Sequence, residues 1–351
     1  MLRLYCHALT ERSVELQDLK QLIDKNIGWS KSDVATSDGA AIFLPATIER
    51  FAVQGDNFDY LKVMLTQQAG HIEFGSFGFE YDRPSTQFAD LRPKLTAPPE
   101  YHDHDHGHEG HHESASVTEL TKYFKLFPSK RLALDVFAIV ESARIEARIM
   151  HEYRGIAPLY AEMRRRTLAL RQESIFLPGR EALLEFMIRL SLGRTNGVKV
   201  PKKHVKVARE IQSMMQLIGA ADATVEDSAE ATLRIYARLA RVKNEYLQEG
   251  EFEVLHSEEK RSSRSSLRTG SKRSNSSSRS NRWVDQDELR PLPELVGRER
   301  EYMAPQGVDY RGDFRPELAQ LLTKAQANSR EQRKSLTPEE LADLLRSQRA
   351  P

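Results

Sequence analysis

The sequence predicts a mainly α-helical protein: a multi-helix domain with a small mixed N-terminal part, a His-rich loop and a long disordered linker. Three observations predict it. Apolar residues recur with the 3.6-residue period of an amphipathic helix over most of residues 118–247. The apolar run Ala41-Ile42-Phe43-Leu44, closed by Pro45, is brief and reads as a strand. Two tracts, 101–114 and 260–282, carry too little apolar surface to pack.

In chain order, Val14 to Ile27 places Val14, Leu16, Leu19, Leu22 and Ile23 as a short amphipathic helix. Asn57 then reads as the cap of a helix carrying Phe58, Leu61, Met64, Leu65 and Ile72, with Gly70, Gly75 and Gly78 ending it. Pro84, Pro93, Pro98 and Pro99 mark an extended loop. Leu132, Val136, Ile139, Val140, Ala143, Ala147 and Met150 form the strongest helical stripe, repeated over Glu181–Leu192, Lys202–Ile218 and Asp227–Leu247. Pro316 to Leu322 and Thr337 to Leu345 are short helical patterns. In the second, Thr337 is an N-cap, Pro338 sits at N1 and Glu340 at N3, a capping box. The resulting segments are 1–97 (mixed α/β), 98–117 (His-rich loop), 118–250 (helical domain), 251–290 (acidic, then basic Ser-rich linker) and 291–351 (short C-terminal helices). The expectation is that 56–73 docks on 131–153, since both apolar stripes need a burial partner.

Composition excludes several classes. The chain has 351 residues, with 52 Lys and Arg against 51 Asp and Glu, a net charge of +1. A global electrostatic case for nucleic-acid binding therefore fails. Mean hydropathy is −0.57. One cysteine, Cys6, excludes a disulfide framework and a multi-Cys zinc site. No apolar run approaches the ~20 residues needed to span a bilayer, and no signal peptide is visible at the start. A cytoplasmic protein is expected. The basic tract 260–282 has eight basic residues, ten serines and no acid. It reads as a solvated linker. Binding to nucleic acid or anionic lipid is the alternative, without aromatic residues for stacking.

Two constellations could carry chemistry. Gln67-Gln68-Ala69-Gly70-His71 has the register of the zinc-peptidase H-E-x-x-H, in which ligands at i and i+4 share one helix face. Gln67 and Gln68 stand where the first His and the catalytic Glu would be, so His71 alone survives. The third ligand of such sites is often a Glu on a later helix, and Glu141-Ser142-Ala143-Arg144-Ile145-Glu146 supplies the candidate. Glu141 shares a stripe with Leu134, Phe137 and Ile145. A carboxylate there needs Arg144, Arg148, His71 or a metal as partner. The alternatives are a zincin-like centre, with zinc or another divalent transition metal on His71 and Glu141, and a structural salt-bridge network. His71 and Glu141 are expected to approach each other, with Gln67, Gln68, Glu73, Arg144 or Glu146 around them and no hydrolytic activity. Separately, His102, His104, His106, His108, His111 and His112 make up six of the eleven histidines. Imidazole suits zinc, copper and nickel; a tolerated loop insertion is the alternative. No phosphate-binding loop, dinucleotide fingerprint or nucleophile elbow is present in the sequence.

The residues Gln67-Gln68-Ala69-Gly70-His71-Ile72-Glu73-Phe74-Gly75-Ser76-Phe77, followed by Phe137 to Ala147, resemble the N-terminal region of the NorD/CbbO-type activation proteins, which are related to the CobT type. Tyr310 to Leu318 and the Thr337–Leu345 helix resemble the segment preceding the von Willebrand factor A (VWA) domain of that family. The E-x-A-R-I-E helix is the most distinctive part. The resemblance implies a helical region that works beside a VWA domain and a MoxR-type AAA+ ATPase to activate a target metalloenzyme or insert its metal. A VWA metal site needs D-x-S-x-S, and the nearest match, Asp33 with Ala35 and Ser37, fails. The chain is therefore expected to be the N-terminal portion alone, with any VWA partner separate.

Overall fold

The computed structural model describes residues 2–10, 14–24, 34–95, 119–256, 292–296 and 302–314. The architecture over these residues is mainly helical, as expected. In order come α1 (Leu2–Thr10), β1 (Glu15–Asp18), α2 (Lys20–Asp24), β2 (Thr36–Ser37), β3 (Ala41–Leu44) and α3 (Gln54–Glu73). They are followed by α4 (Glu119–Phe124), α5 (Lys130–Glu152), α6 (Ala157–Leu170), α7 (Gly179–Ser191), β4 (Val198–Pro201), α8 (Val205–Ile218), α9 (Val225–Ala240) and β5 (Phe252–Leu255). No helix among the described residues is long and apolar enough to cross a membrane.

α5 is the axial element. Ser129 caps it by accepting from the Leu132 amide, and its stripe of Leu132, Val136, Phe137 and Val140 is fully buried against α7, α8 and α9. Its other side meets α3 and α6 through Ile145 and Ile149, joined by Met64, Tyr160 and Met163. The docking of α3 on α5 is as expected, and the closeness depends on Gly70. A Cβ there would lie 2.8 Å from Ile149 Cδ1 and 2.9 Å from Ile145 Cγ2. Gly70 therefore does not end α3, as its composition suggests; it lies within the helix as a packing notch. The helix ends at Gly75, whose φ of +75° follows the last turn, where the Ser76 amide reaches the His71 carbonyl. The start also differs. α3 begins at Gln54, and the Asn57 side chain accepts from the Arg50 and Phe51 amides, fastening the preceding turn.

Two further readings are corrected. Residues 15–18 are a strand rather than part of a Val14–Ile27 helix. β1 pairs parallel with β3, and β2 pairs antiparallel on the other side, giving the order β1-β3-β2. Among the described residues of that stretch, Lys20–Asp24 is helical, with Leu19 and Leu22 packed on Ala41 and Phe43. The helical run of 118–247 is interrupted by β4, which pairs antiparallel with β5. The Pro-marked stretch is an ordered clamp over residues 79–95. Asp227 completes a capping box with Thr224 and accepts from the Thr86 and Gln87 amides and the Ser85 hydroxyl. Arg92 forms a buried ion pair with Glu230. The His-rich tract, most of the 251–290 linker and the helical patterns 316–322 and 337–345 lie outside the described residues.

Candidate functional site

The chain at 302–314 lies across α3 and α5 and ends on the face where His71 and Glu141 sit. Asp313 donates its amide to Ala35 O at 2.7 Å, and Thr36 Oγ1 donates to Asp313 O at 2.7 Å. This fixes Phe314 flat on the His71 ring, with centroids 4.3 Å apart and planes 3° from parallel.

His71 and Glu141 are brought together through Ser76 rather than in direct contact. The Ser76 hydroxyl lies 2.8 Å from His71 Nδ1 and donates to Glu141 Oε1 at 2.5 Å. A hydroxyl has one proton. Since Ser76 gives it to the carboxylate, it accepts from His71 Nδ1–H. The tautomer is thereby set, with the lone pair on Nε2, a buried atom that has no hydrogen-bond partner. Burial drives the His71 pKa down to about 3, more strongly than the nearby Glu141 charge pulls it up. The imidazole is neutral. Burial alone would raise the Glu141 pKa, but the Arg144 charge and hydrogen bonds outweigh it, with His71 and Ser76 adding to them, and hold it at about 2. Arg144 grips both carboxylate oxygens at 2.9 and 2.6 Å and also donates to Ala223 O and Phe74 O. Glu141 and Arg144 are 0% and 2% exposed, so this is a desolvated, fully partnered ion pair.

Gln67 and Gln68 are cross-links. Gln67 donates to Ser142 O at 3.0 Å and accepts from Tyr160 Oη at 3.1 Å, tying α3 to α5 and α6. Gln68 donates to Arg311 O at 2.8 Å and accepts from Ser37 Oγ at 2.9 Å, tying α3 to β2 and the 302–314 segment. Glu146 stands in an adjoining cluster. Arg164 Nε meets its Oε1 at 2.5 Å, Arg311 Nε meets its Oε2 at 2.6 Å, and the Tyr310 hydroxyl donates to it. Burial disfavours the Arg311 charge, but Glu146 outweighs it and raises the pKa. Glu73 is the exception. It is exposed at the last turn of α3 and takes no part, because the residue two after His71 faces away from α5.

A zinc ion does not fit this donor set. Structural zinc takes four protein ligands and catalytic zinc about three. Within the buried network of His71, Glu141, Gln67 and Gln68, the His71 Nε2 lone pair is the one uncommitted donor, because both Glu141 oxygens and both amide oxygens are spent. Among the described residues, no group of three or more His, Cys, Asp or Glu side chains is placed to hold a metal ion. Cys6 is buried in α1, and burial pushes its thiol up to about 11, the reverse of an activated nucleophile. His102, His104, His106, His108, His111 and His112 lie outside the described residues.

Sequence reasoning passed over Ser76, Tyr160, Arg164, Arg311 and Phe314. Ser76 could have been flagged by its place in the same motif as His71, five residues on, where a turn returns the chain to the helix. For Arg311 the signal was present only as the Tyr310–Leu318 resemblance. No family model matches the chain, and no curated protein and no solved structure matches it.

Proposed function

We propose that this chain is a non-catalytic adaptor or activation protein that acts with a MoxR-type AAA+ ATPase in the maturation of, or metal insertion into, a target metalloenzyme. One observation carries the reading: the residues in zinc-peptidase register are consumed by internal cross-links. Gln67, Gln68 and Glu141 each hold a different element in place, which supports a rigid platform over a reaction centre. The likeness of Gln67–Phe77 and Phe137–Ala147 to NorD/CbbO-type proteins supplies the choice of partner. The cytoplasm is the compartment proposed, and a separately encoded VWA protein is the further partner that the likeness implies. The test is a pull-down of the purified chain with a MoxR-type ATPase, together with the ATPase rate. Association and a changed rate are expected; absence of both counts against the adaptor.

The second reading is metal-linked. A zincin-like metallopeptidase is disfavoured by Gln67 and Gln68, though the free Nε2 of His71 leaves one ligand available. A metal carrier would rest on the His-rich tract 101–114. Zinc content of protein lacking 101–114 separates them: stoichiometric zinc that is lost on His71→Ala would revive the peptidase reading.

A further inference from the structure

α5 presents a second face beside the His71 network, with Phe314 between the two. Asp135, Ala138, Ile139 and Ser142 follow the i, i+3, i+4, i+7 spacing of one helix stripe, and all four border a cavity of about 240 Å³. Val34, Ile188, Pro305, Val308 and Phe314 supply its apolar walls.

Two side chains in this cavity have polar capacity left over. Ser142 is 9% exposed, and its hydroxyl makes no hydrogen bond to any of the described residues; Gln67 uses its carbonyl instead. Helical hydroxyls can fold back on the carbonyl one turn earlier, as Thr66 does on Lys62 O and Thr232 on Ser228 O. Ser142 does not. Asp135 accepts the Tyr302 hydroxyl on Oδ2 at 2.7 Å, which leaves Oδ1 without a hydrogen bond among the described residues. Asp309 also lines the cavity, but its carboxylate is paired with Arg50 at 2.6 Å, so Asp135 is the acid the argument rests on. Arg311 is the lining cation, and it is spent on Glu146 and Ser191. Burial, with the Asp313 charge adding to it, holds the Asp135 carboxyl above its usual range against the Tyr302 hydrogen bond and Arg131. The open oxygen of Asp135 is therefore where a cation would be favoured.

Size and lining narrow the ligand. The volume lies under the ~300 Å³ at which pockets for drug-sized molecules begin, so it suits a single long side chain. The apolar walls match an alkyl stem, as when Lys and Arg bury their methylenes and keep the head group on a polar partner. With Arg311 committed, no cation among the lining residues is free to meet the carboxylate of a free amino acid. A side chain within a peptide has no such carboxylate.

We propose that this cavity receives one arginine or lysine side chain of a partner protein, its head group on Asp135, its stem on the Ile139–Ile188–Phe314 wall, and a main-chain polar group on Ser142. A AAA+ partner could fail to bind while the cavity still takes a cation, so this test and the pull-down fail separately. Isothermal titration of the full chain with acetyl-Gly-Arg-Gly-amide, its citrulline counterpart and agmatine decides the matter. The arginine peptide should bind at least tenfold more tightly than the citrulline peptide, and more tightly than agmatine. Asp135→Asn and Ala138→Leu should each weaken it at least tenfold, the second by filling the cavity without touching the carboxylate. Glu249→Gln, at an exposed acid paired with Lys199, should leave binding unchanged. Far-UV circular dichroism verifies each variant's fold; if Asp135→Asn unfolds, Ala138→Leu and the citrulline peptide decide. Equal binding of the arginine and citrulline peptides, or full binding by folded Ala138→Leu, overturns the proposal. Agmatine binding as tightly as the peptide overturns the protein source and assigns the cavity to a free amine.

Discussion

Removing Glu141 tests whether the His71 site is a structural network. In Glu141→Ala, Arg144 keeps only the Ala223 and Phe74 carbonyls while remaining 2% exposed, and the Ser76 hydroxyl loses its acceptor. Breaking a buried pair from one side costs about 3–5 kcal/mol, because an uncompensated charge stays in a dry environment. Against a total stability of ~5–15 kcal/mol, that is a large loss. Replacing both partners with apolar residues of similar size, Glu141→Leu with Arg144→Met, removes the stranded charge. Ser76 can then donate to His71 Nδ1 once the imidazole proton moves to Nε2. What remains is chiefly the buried Ala223 carbonyl that Arg144 had capped, about 1–3 kcal/mol, the Phe74 carbonyl being only part-buried. The double variant should therefore be more stable than Glu141→Ala, by roughly 2 kcal/mol on the same figures. Urea unfolding at pH 7, followed by far-UV circular dichroism, measures both. A double variant as unstable as the sum of its single changes would refute the reasoning.

Three further outcomes are expected. His71 has a folded pKa of about 3 against an ordinary 6.5, so between these values the unfolded chain binds the extra proton and stability falls as pH drops below 6.5. At ~1.4 kcal/mol per pH unit this term is about 2 kcal/mol by pH 5. Glu141, held at about 2 against 4.5, adds to the loss only below pH 4.5. Urea midpoints for wild type and His71→Asn between pH 7 and 5 should diverge, and parallel curves would refute the assignment. Gly312→Ala should loosen the 302–314 segment. Its φ of +76° and ψ of −169° lie where side chains are strained by ~1–3 kcal/mol, and a Cβ would come within 2.5 Å of Ala35 O and Gln68 Nε2. Hydrogen exchange over residues 302–314 should accelerate; unchanged protection would count against that seating. Deleting residues 101–114 should abolish Zn²⁺ or Ni²⁺ binding by the full chain in a titration, and unchanged affinity would exclude the tract as the ligand.

What could be read from the sequence was what periodicity encodes. α3 and α5 each carry a sustained apolar stripe, and the need to bury both placed them together, hence His71 near Glu141. The strand at Glu15–Asp18 was illegible because its partner β3 lies 26 residues on, and a four-residue segment with apolar Leu16 at its centre fits a helix equally well. Pairing of β4 with β5 is likewise a long-range property of two short strands. Gly70 was misread because composition cannot separate a helix stop from a notch for Ile145 and Ile149. At the site, residue type was legible and role was not. Gln67 and Gln68 look like spent ligands in the string, and only the positions of Tyr160, Ser37 and Arg311 reveal them as cross-links.

The seating of residues 302–314 has a consequence for synthesis. Glu146, Gln68 and His71 belong to the first half of the chain, yet Arg311, Tyr310 and Phe314, which complete their surroundings, are more than 160 residues downstream of Glu146. Contacts of such separation form late. As the polypeptide leaves the ribosome, the earlier helices can assemble while the Glu146 carboxylate still lacks Arg311 and the His71 ring lacks its cover. A nascent chain arrested before residue 302 would expose that unfinished face to chaperones and proteases, so completion of the fold reports that translation has passed residue 314.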